Sequence, residues 1–599
     1  MLRVRRRDYG GEVIAPPASD SGGHRPRPGW CVVGVLPSGG IGAVDVSADG
    51  QTGDPVELSH EELSTYVSDR ETTHPPRWVW SDTAHWLPSL LTDGVTVARC
   101  HDLRLCHAIL ARSEYTGTRQ ALVAADEWRR DFEEPEVAAP AATLFDLEVE
   151  SADRVTVPDG LGAALDEFAR QRAALASSGG EARRLRILLA AESAGALIAA
   201  EMRSAGLPWS ASEHDRLLSE ALGPRPATGT KPSAMVELAT RVEEALGVRG
   251  LSIDSAPKLL QALRRAGIDV HSTSQWELME HEHPAIAPLL QYKKLARLLS
   301  ANGWAWIDEW VRDGRYRPVY VPGGVVTGRW ASSGGGALQI PRRLRPAIRA
   351  DEGWTFVSAD VAQLEPRVLA AMSGDRAMAV AGQGKDLYAG IVESGAVQSR
   401  EEAKLAVLGA MYGSTTGDAG RLVPRLRRIY PNAMRMVDEA ASAGERGGVV
   451  STWLGRSSPE PGPEWADLQA RAQGNSATSA DETRARRAAR DFGRFTRNFI
   501  VQGTAAEWAL AWMADLRLRL ARLPETGGVH APASGPAFAR RAHLAFFLHD
   551  EVIVHAPLDQ AKAAAAAIQD AAAAAGELLF GKTPVEFALE VSVADTASK

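Results

Sequence analysis

Near the C-terminus, Asp550 and Glu551 sit side by side between two short runs of β-forming residues, 544–548 and 552–556. That pattern predicts a hairpin with an acidic tip. Adjacent carboxylates are costly to hold together unless something positive sits with them, and a divalent metal ion is the usual partner. Asp360 closes another β-type run, 354–360, and precedes Asp550 by 190 residues. Folding can bring two such distant strands to one place. Carboxylates gathered in this way suit two metal ions about 3.5–4 Å apart, acting on a phosphoryl group.

Three further stretches carry groups that could serve such chemistry. Arg400, Lys404, Leu408 and Tyr412 recur every fourth residue and so wind along one side of a helix. A triphosphate could lie on the two cations, with its sugar and base against Leu408 and Tyr412. Gly409 and Gly413 would let that helix approach a neighbour closely, at about 1 kcal/mol each in helix propensity. Alone, the stretch reads equally as an amphipathic helix with a salt-bridging face. Thr327, Gly328 and Arg329, followed by Ser332 and Ser333, offer backbone donors, hydroxyls and a guanidinium to a phosphate or a base edge. Arg494, Asn498 and Gln502 share a helical face and could hydrogen-bond a nucleic-acid minor groove. An ordinary polar helix face has the same pattern.

The surrounding elements must bring these stretches together. Residues 30–115 mix short β-like runs with helical segments, an α/β pattern. From about 160 to 300 the apolar spacing is helical. Residues 315–360 return to strands and loops, 361–455 to helices, and 484–522 to one or two more. Residues 1–30 read as a loosely ordered terminus, 125–155 as an acidic linker, 457–482 as a flexible insertion and 523–541 as a loop.

The chain has 599 residues, too long for one domain; three or four are expected. Its 45% hydrophobic and 24% charged content is that of an ordinary globular protein. Three cysteines, Cys31, Cys100 and Cys106, lack zinc-type spacing and point to reduced thiols in a cytoplasmic compartment. The basic start lacks the apolar stretch of a signal peptide. No run approaches 18 consecutive apolar residues, so no membrane partner is expected. The net charge of −8 argues against a polyanion partner for the chain as a whole, but arginines cluster at 342–349, 421–428 and 484–497. Such patches could hold a phosphate backbone; each could equally be a solvated helix face.

Together these segments resemble family A DNA polymerases, the bacterial DNA polymerase I type. Residues 360–367 resemble the family's first catalytic motif, 400–413 its fingers-helix motif, and His549, Asp550 and Glu551 its last catalytic motif. Residues 327–329 and 502–506 look like two more signatures, all in the family's order. Weaker similarity lies at 271–275 and 292–297.

The resemblance implies an α/β multidomain fold: an RNase H-like exonuclease-like domain, then a right-hand polymerase. The implied limits are 1–185 for the exonuclease-like domain, 186–310 for the thumb, 311–383 and 500–599 for the palm, and 384–499 for the fingers. It implies a monomer that adds dNTPs to the 3′ end of a primer–template DNA, in replication or repair synthesis, with two Mg²⁺ ions. Asp360 and Asp550 would hold the metals, with Glu551 supporting them. Arg400 and Lys404 would bind the triphosphate, and Tyr412 would stack near the templating position. Glu365 would close the space around the sugar 2′ carbon. Gln363, Thr327, Arg329, Arg494, Asn498, Gln502 and His549 would line the primer–template, and Arg367 would order its helix. Leu408 stands where the family usually has an aromatic, and Tyr388 where it commonly has His; Tyr388 could still donate a hydrogen bond to a phosphate.

The N-terminal part departs further. Residues 97–110 resemble the middle of the 3′–5′ exonuclease domain, yet the first strand-like run has no Asp-x-Glu, an expected metal-binding Asp falls near His85, and Leu189 and Ser193 replace a Tyr and an Asp. Loss of proofreading is the expectation, as is the lack of a preceding 5′-nuclease domain. Two rivals are a single-subunit RNA polymerase, against which Glu365 and Glu551 speak, and a non-catalytic DNA-binding descendant, against which Asp360, Arg400, Lys404 and Asp550 speak.

Overall fold

The computed structural model describes residues 29–129, 157–227, 229–333, 335–336, 340–413, 417–548 and 550–597. Most of the linker expected at 125–155 lies outside them. Its first residues are not linker: Trp128 is buried beside Val32, Val44 and Phe168.

An N-terminal unit is built on a five-stranded mixed sheet. Its strands are β1 (Trp30–Val35), β2 (Ile41–Val46), β3 (Val56–Leu58), β4 (Arg77–Trp80) and β5 (Cys100–Asp102), in the order β3-β2-β1-β4-β5. β1 pairs antiparallel to β2 and parallel to β4. Its apolar run is covered on both faces, which is why Cys31, Val32 and Val33 are all buried. Helix α1 (Leu161–Ser177) packs on β1, and α2 (Ala182–Ala205) packs on β5. All three cysteines are buried free thiols. Helices between 211 and 302 follow.

The sheet that the sequence resemblance assigns to the palm has four antiparallel strands, β6 (Trp354–Val361), β7 (His543–Leu548), β8 (Glu551–Pro557) and β9 (Leu589–Ala594), in the order β7-β8-β6-β9. The hairpin expected around 550 is β7–β8. β6 is central, and every residue in it except Asp360 is buried.

Between β6 and β7 lie α3 (Leu364–Ser373), α4 (Leu387–Glu393), α5 (Arg400–Tyr412), α6 (Pro431–Glu445), α7 (Pro463–Gln473) and α8 (Ser479–Ala521). α8 is one continuous helix of 43 residues, about 65 Å long, opened by a Thr478–Asp481 capping box. Its first half is arginine-rich and exposed. Its second half, from Phe499 to Met513, is almost wholly buried against α2, α6 and α9 (Ala561–Phe580). α9 is long and apolar enough by composition to cross a membrane. Here its alanine face is buried against α8 and the palm sheet.

One expectation needs correction. The segment 457–482 is not an open insertion: Pro463 starts and Gly474 stops α7, which docks on α8 through Trp465 against Phe492 and through Gln469, whose side-chain amide donates to the Ala485 carbonyl at 2.9 Å. The expected domain limits at 185 and 499 fall inside α2 and α8.

His543 and His555 pair across β7 and β8, ring centroids 5.3 Å apart, among Trp354, Phe538 and Phe356, with Asp351 and Arg315 at the margin. Burial holds His543 at about 4 and His555 well below its usual value; the Arg315 charge acts the same way on both. The unfolded chain takes up these protons near pH 6.5. Stability should therefore be full above that pH and fall as the pH drops from about 6.5 toward 4. For His543 the loss is at most about 3 kcal/mol. Urea denaturation at pH 4.5 and 7.5 should show a smaller difference between the two pH values in His543→Phe than in wild type.

Candidate active site

The palm register decides the geometry. Asp360 on β6 stands opposite Glu551 on β8 and opposite Glu590 on β9. The Val361 N–H donates to the Asp550 carbonyl at 3.0 Å, and the Asp550 N–H donates to the Leu548 carbonyl at 2.7 Å. Two acids 190 residues apart in sequence thus share one end of one sheet. Burial and then the Asp360 charge push the Asp550 carboxyl up to about 6, with the Arg329 charge opposing. Glu551 is tied differently: it accepts two hydrogen bonds from Arg345, at 2.8 and 2.6 Å, and is only 4% exposed. Arg345 belonged to a cluster that reads as a phosphate patch or a solvated face. It is neither, because the pairing with Glu551 buries it.

Asp550 borders a cavity of about 260 Å³ lined also by Arg329, Glu365, Tyr412, Phe547 and Met513. Glu365, on the first turn of α3, holds its wall together. Arg329 donates to one Glu365 oxygen and the Tyr412 hydroxyl donates to the other at 2.7 Å. The C-terminal end of α5 is thereby joined to the palm. The N-terminal end is joined as well. Gln363, in the left-handed region at φ 50°, donates to Asp386 at 3.1 Å, and Asp386 accepts from Arg400 at 2.8 Å. Tyr388 is buried beneath the Arg400 guanidinium, 5.6 Å from ring centre, and burial with the Glu365 charge pushes its hydroxyl up to about 12.

The other predicted residues are distributed as follows. Lys404 is exposed on α5, while Leu408 is half-buried against the fingers core. Thr327 is buried, and its hydroxyl has no protein partner. Arg494, Asn498 and Gln502 lie along α8; Arg494 pairs with Asp491, and the Asn498 carbonyl oxygen is buried without a partner. His549 lies outside the described residues. Arg367 is fully buried and gives four hydrogen bonds to backbone carbonyls of Ala362, Gly382, Lys385 and Glu586. A larger groove of about 510 Å³, running along α6 with Arg427 and Arg446 among its lining residues, contains none of these residues.

Sequence reasoning missed Arg345 and Asp386. Asp386 had a signal: it caps α4, accepting from the Ala389 N–H.

A sequence model for DNA polymerase family A matches residues 234–597. The chain belongs to DNA polymerase family A. Over 351 residues, 53% of this chain and 33% of the relative, it is 32% identical to DNA polymerase I of Chloroflexus aurantiacus. The thermostable DNA polymerase I of Thermus thermophilus is 27% identical over 442 residues, 65% of this chain and 48% of the relative. This family A chain therefore spans a third to a half of those curated relatives. A solved structure of the POL domain of Pol1 from M. smegmatis, in complex with DNA primer-template and dNTP, matches with a TM-score of 0.61 over 93% of this chain and 92% of that one. At 17% identity that likeness is one of fold.

Arg367 gives the clearest stability prediction for the family A chain. Arg367→Met strands four carbonyl acceptors, each costing about 1 kcal/mol or more when left unpaired. Equilibrium unfolding should show a loss of at least about 3 kcal/mol, the largest among single changes around this cleft.

Proposed function

We propose that this chain is a template-directed DNA polymerase that transfers nucleotides from dNTPs to a primer 3′ end, as a cytoplasmic monomer. One observation carries the reading: Asp360 and Asp550 lie together at a cleft whose other wall is the helix bearing Arg400 and Lys404. The M. smegmatis POL domain, solved in complex with primer-template and dNTP, points the same way.

The residues present fit a hard divalent cation. The donors are carboxylate oxygens, and burial together with the facing Asp360 carboxylate pushes Asp550 up to about 6. Among the described residues, no three His, Cys, Asp or Glu side chains gather in a ligand set. Mg²⁺ suits that economy, since it retains waters and takes substrate phosphate oxygens alongside one or two carboxylates. Asp360 and Asp550 would hold two such ions, whose chemistry is to acidify the primer hydroxyl and neutralise the departing pyrophosphate.

The chain's own groups do the rest. Arg400, half exposed, and Lys404 would bind the triphosphate and orient it along α5. Glu365, fixed by Arg329 and Tyr412, would present its carboxylate as a wall that a 2′-hydroxyl meets. Tyr412, exposed at the end of α5, would stack beside the templating base. Arg329, Gln363, Asn498, Gln502 and His549 would line the primer–template, with Thr327 beneath them.

The N-terminal unit reads as an exonuclease-like domain without proofreading. β1 carries no acid. Asp102 is buried, and its two oxygens accept from the Thr83 and Leu105 N–H groups at 2.8 and 2.9 Å. Glu192 is paired with Arg456, and Glu167 accepts from Arg170 and Gln171. Each carboxylate is occupied in holding the fold.

Primer extension tests the polymerase reading. Wild type should extend a primed template with dNTPs and far less with NTPs, and Asp550→Ala should lower the rate at least about a thousandfold. Efficient use of NTPs, or an Asp550→Ala variant as fast as wild type, would exclude it. Incubation with Mg²⁺ and single-stranded DNA should yield no 3′–5′ digestion, including by Asp550→Ala.

A further inference from the structure

The short hairpin 451–458 joins three parts of the molecule. Ser451 and Ser457 form an antiparallel bridge across it. The N-terminal unit grips its outer side. Ser113 Oγ donates to the Gly455 carbonyl at 2.5 Å, and the Glu114 N–H donates to Ser457 Oγ at 2.9 Å. Tyr115 packs on Gly455, where an added Cβ would lie 2.6 Å from the ring. The inner side rests on α8: the Trp453 N–H donates to Thr504 Oγ1 at 3.0 Å and the Leu454 N–H to Glu507 at 2.9 Å.

Arg456 stands at the centre. Its guanidinium donates to Glu192 Oε2 at 2.7 Å, and Glu192 is 1% exposed. Glu192 sits on α2, the helix that packs on both the N-terminal sheet and α8. The same guanidinium rests against Gly328. A Cβ on Gly328 would fall 2.5 Å from Arg456 Nε and 2.9 Å from Cζ, and φ there is +86°. Gly328 is the middle of the Thr327–Arg329 loop, whose arginine lines the cavity beside Asp550. One route from the N-terminal unit to the cleft thus runs through a buried ion pair and a glycine.

We propose that Arg456 is a positioning residue: held by Glu192, it sets the Thr327–Arg329 loop in the shape that receives the primer terminus. This rests on the polymerase reading above. It gives the N-terminal unit a part in synthesis that is independent of any nuclease chemistry of its own. A charge-assisted hydrogen bond inside the protein orients a guanidinium far more strictly than solvent does. Removing either partner leaves the other charge buried and unpaired, so the loop beneath it must shift.

The test uses the full chain, with Glu192→Gln, Arg456→Met, the double variant and Arg456→Lys. Affinity for a fluorescent primed template is read by anisotropy without turnover, and kcat and KM are read by primer extension. Thermal melting identifies temperatures at which every variant is folded, and the double variant, with no stranded charge, guards against a single variant that fails to fold. Each neutralising variant should raise both Kd and KM for the primed template about tenfold, while kcat falls less. The double variant should bind no worse than Arg456→Met, because the two residues act as one unit. Arg456→Lys should recover much of the affinity. Variants that melt lower yet bind and extend the primed template like wild type would overturn the positioning role alone. Wild type that fails to incorporate dNTPs at all would overturn the polymerase reading beneath it.

Discussion

The pairing of β6 with β8 is the constraint on which this molecule is organised. It sets a central apolar strand against an apolar hairpin, and its register leaves acids at one end. Hydrophobic burial along the strands outweighs the repulsion between carboxylates at their tips. That cost adds to the cost of burial in raising the proton affinity of Asp550. Part of it is offset by guanidinium groups brought in from elsewhere: Arg345 neutralises Glu551, and Arg329 stands near Asp550. A sheet that concentrates negative charge at one edge of a cleft is pre-organised for cations.

The opposite wall is held more lightly. α5 is joined to the palm at both ends, by Arg400, Asp386 and Gln363 at the start and by Tyr412, Glu365 and Arg329 at the finish. Most of these side chains are partly exposed, and pairs of that kind contribute about 1 kcal/mol or less. Such links align a helix without locking it. A ligand that offers Arg400 better oxygens than Asp386 can shift the balance by its own binding energy. The contrast with Arg367, fully buried on four carbonyls, is one of purpose: there the backbone beneath α3 is fixed outright.

Much of this was legible in the sequence wherever a local period carried the information. The β7–β8 hairpin follows from two short β-forming runs flanking Asp550 and Glu551, and α5 from a four-residue repeat. The row Arg494, Asn498 and Gln502 does lie on one helix. What stayed hidden depends on distant partners. Nothing near Arg345 says that it will meet Glu551, 206 residues away. The region 457–482 looked unstructured because its glycines and prolines were read as breakers, although Pro463 and Gly474 bound a helix. Helices α2 and α8 run through residues 185 and 499 with no break in composition. Family resemblance supplied roles for single residues that no periodicity could assign.

The antiparallel neighbours of β6 come from residues 551–594, whereas β6 itself ends at Val361. During synthesis on the ribosome, β6 therefore emerges long before any strand that can pair with either of its edges. The N-terminal sheet, by contrast, is assembled from residues 30–102 and can close early. Non-local pairings of this kind are slow to form and leave bare strand edges open to wrong partners in the meantime. A nascent chain that has not yet reached residue 543 has most of these helices and lacks β7, β8 and β9. The acidic end of that sheet therefore closes only after the long helix α8 has been made.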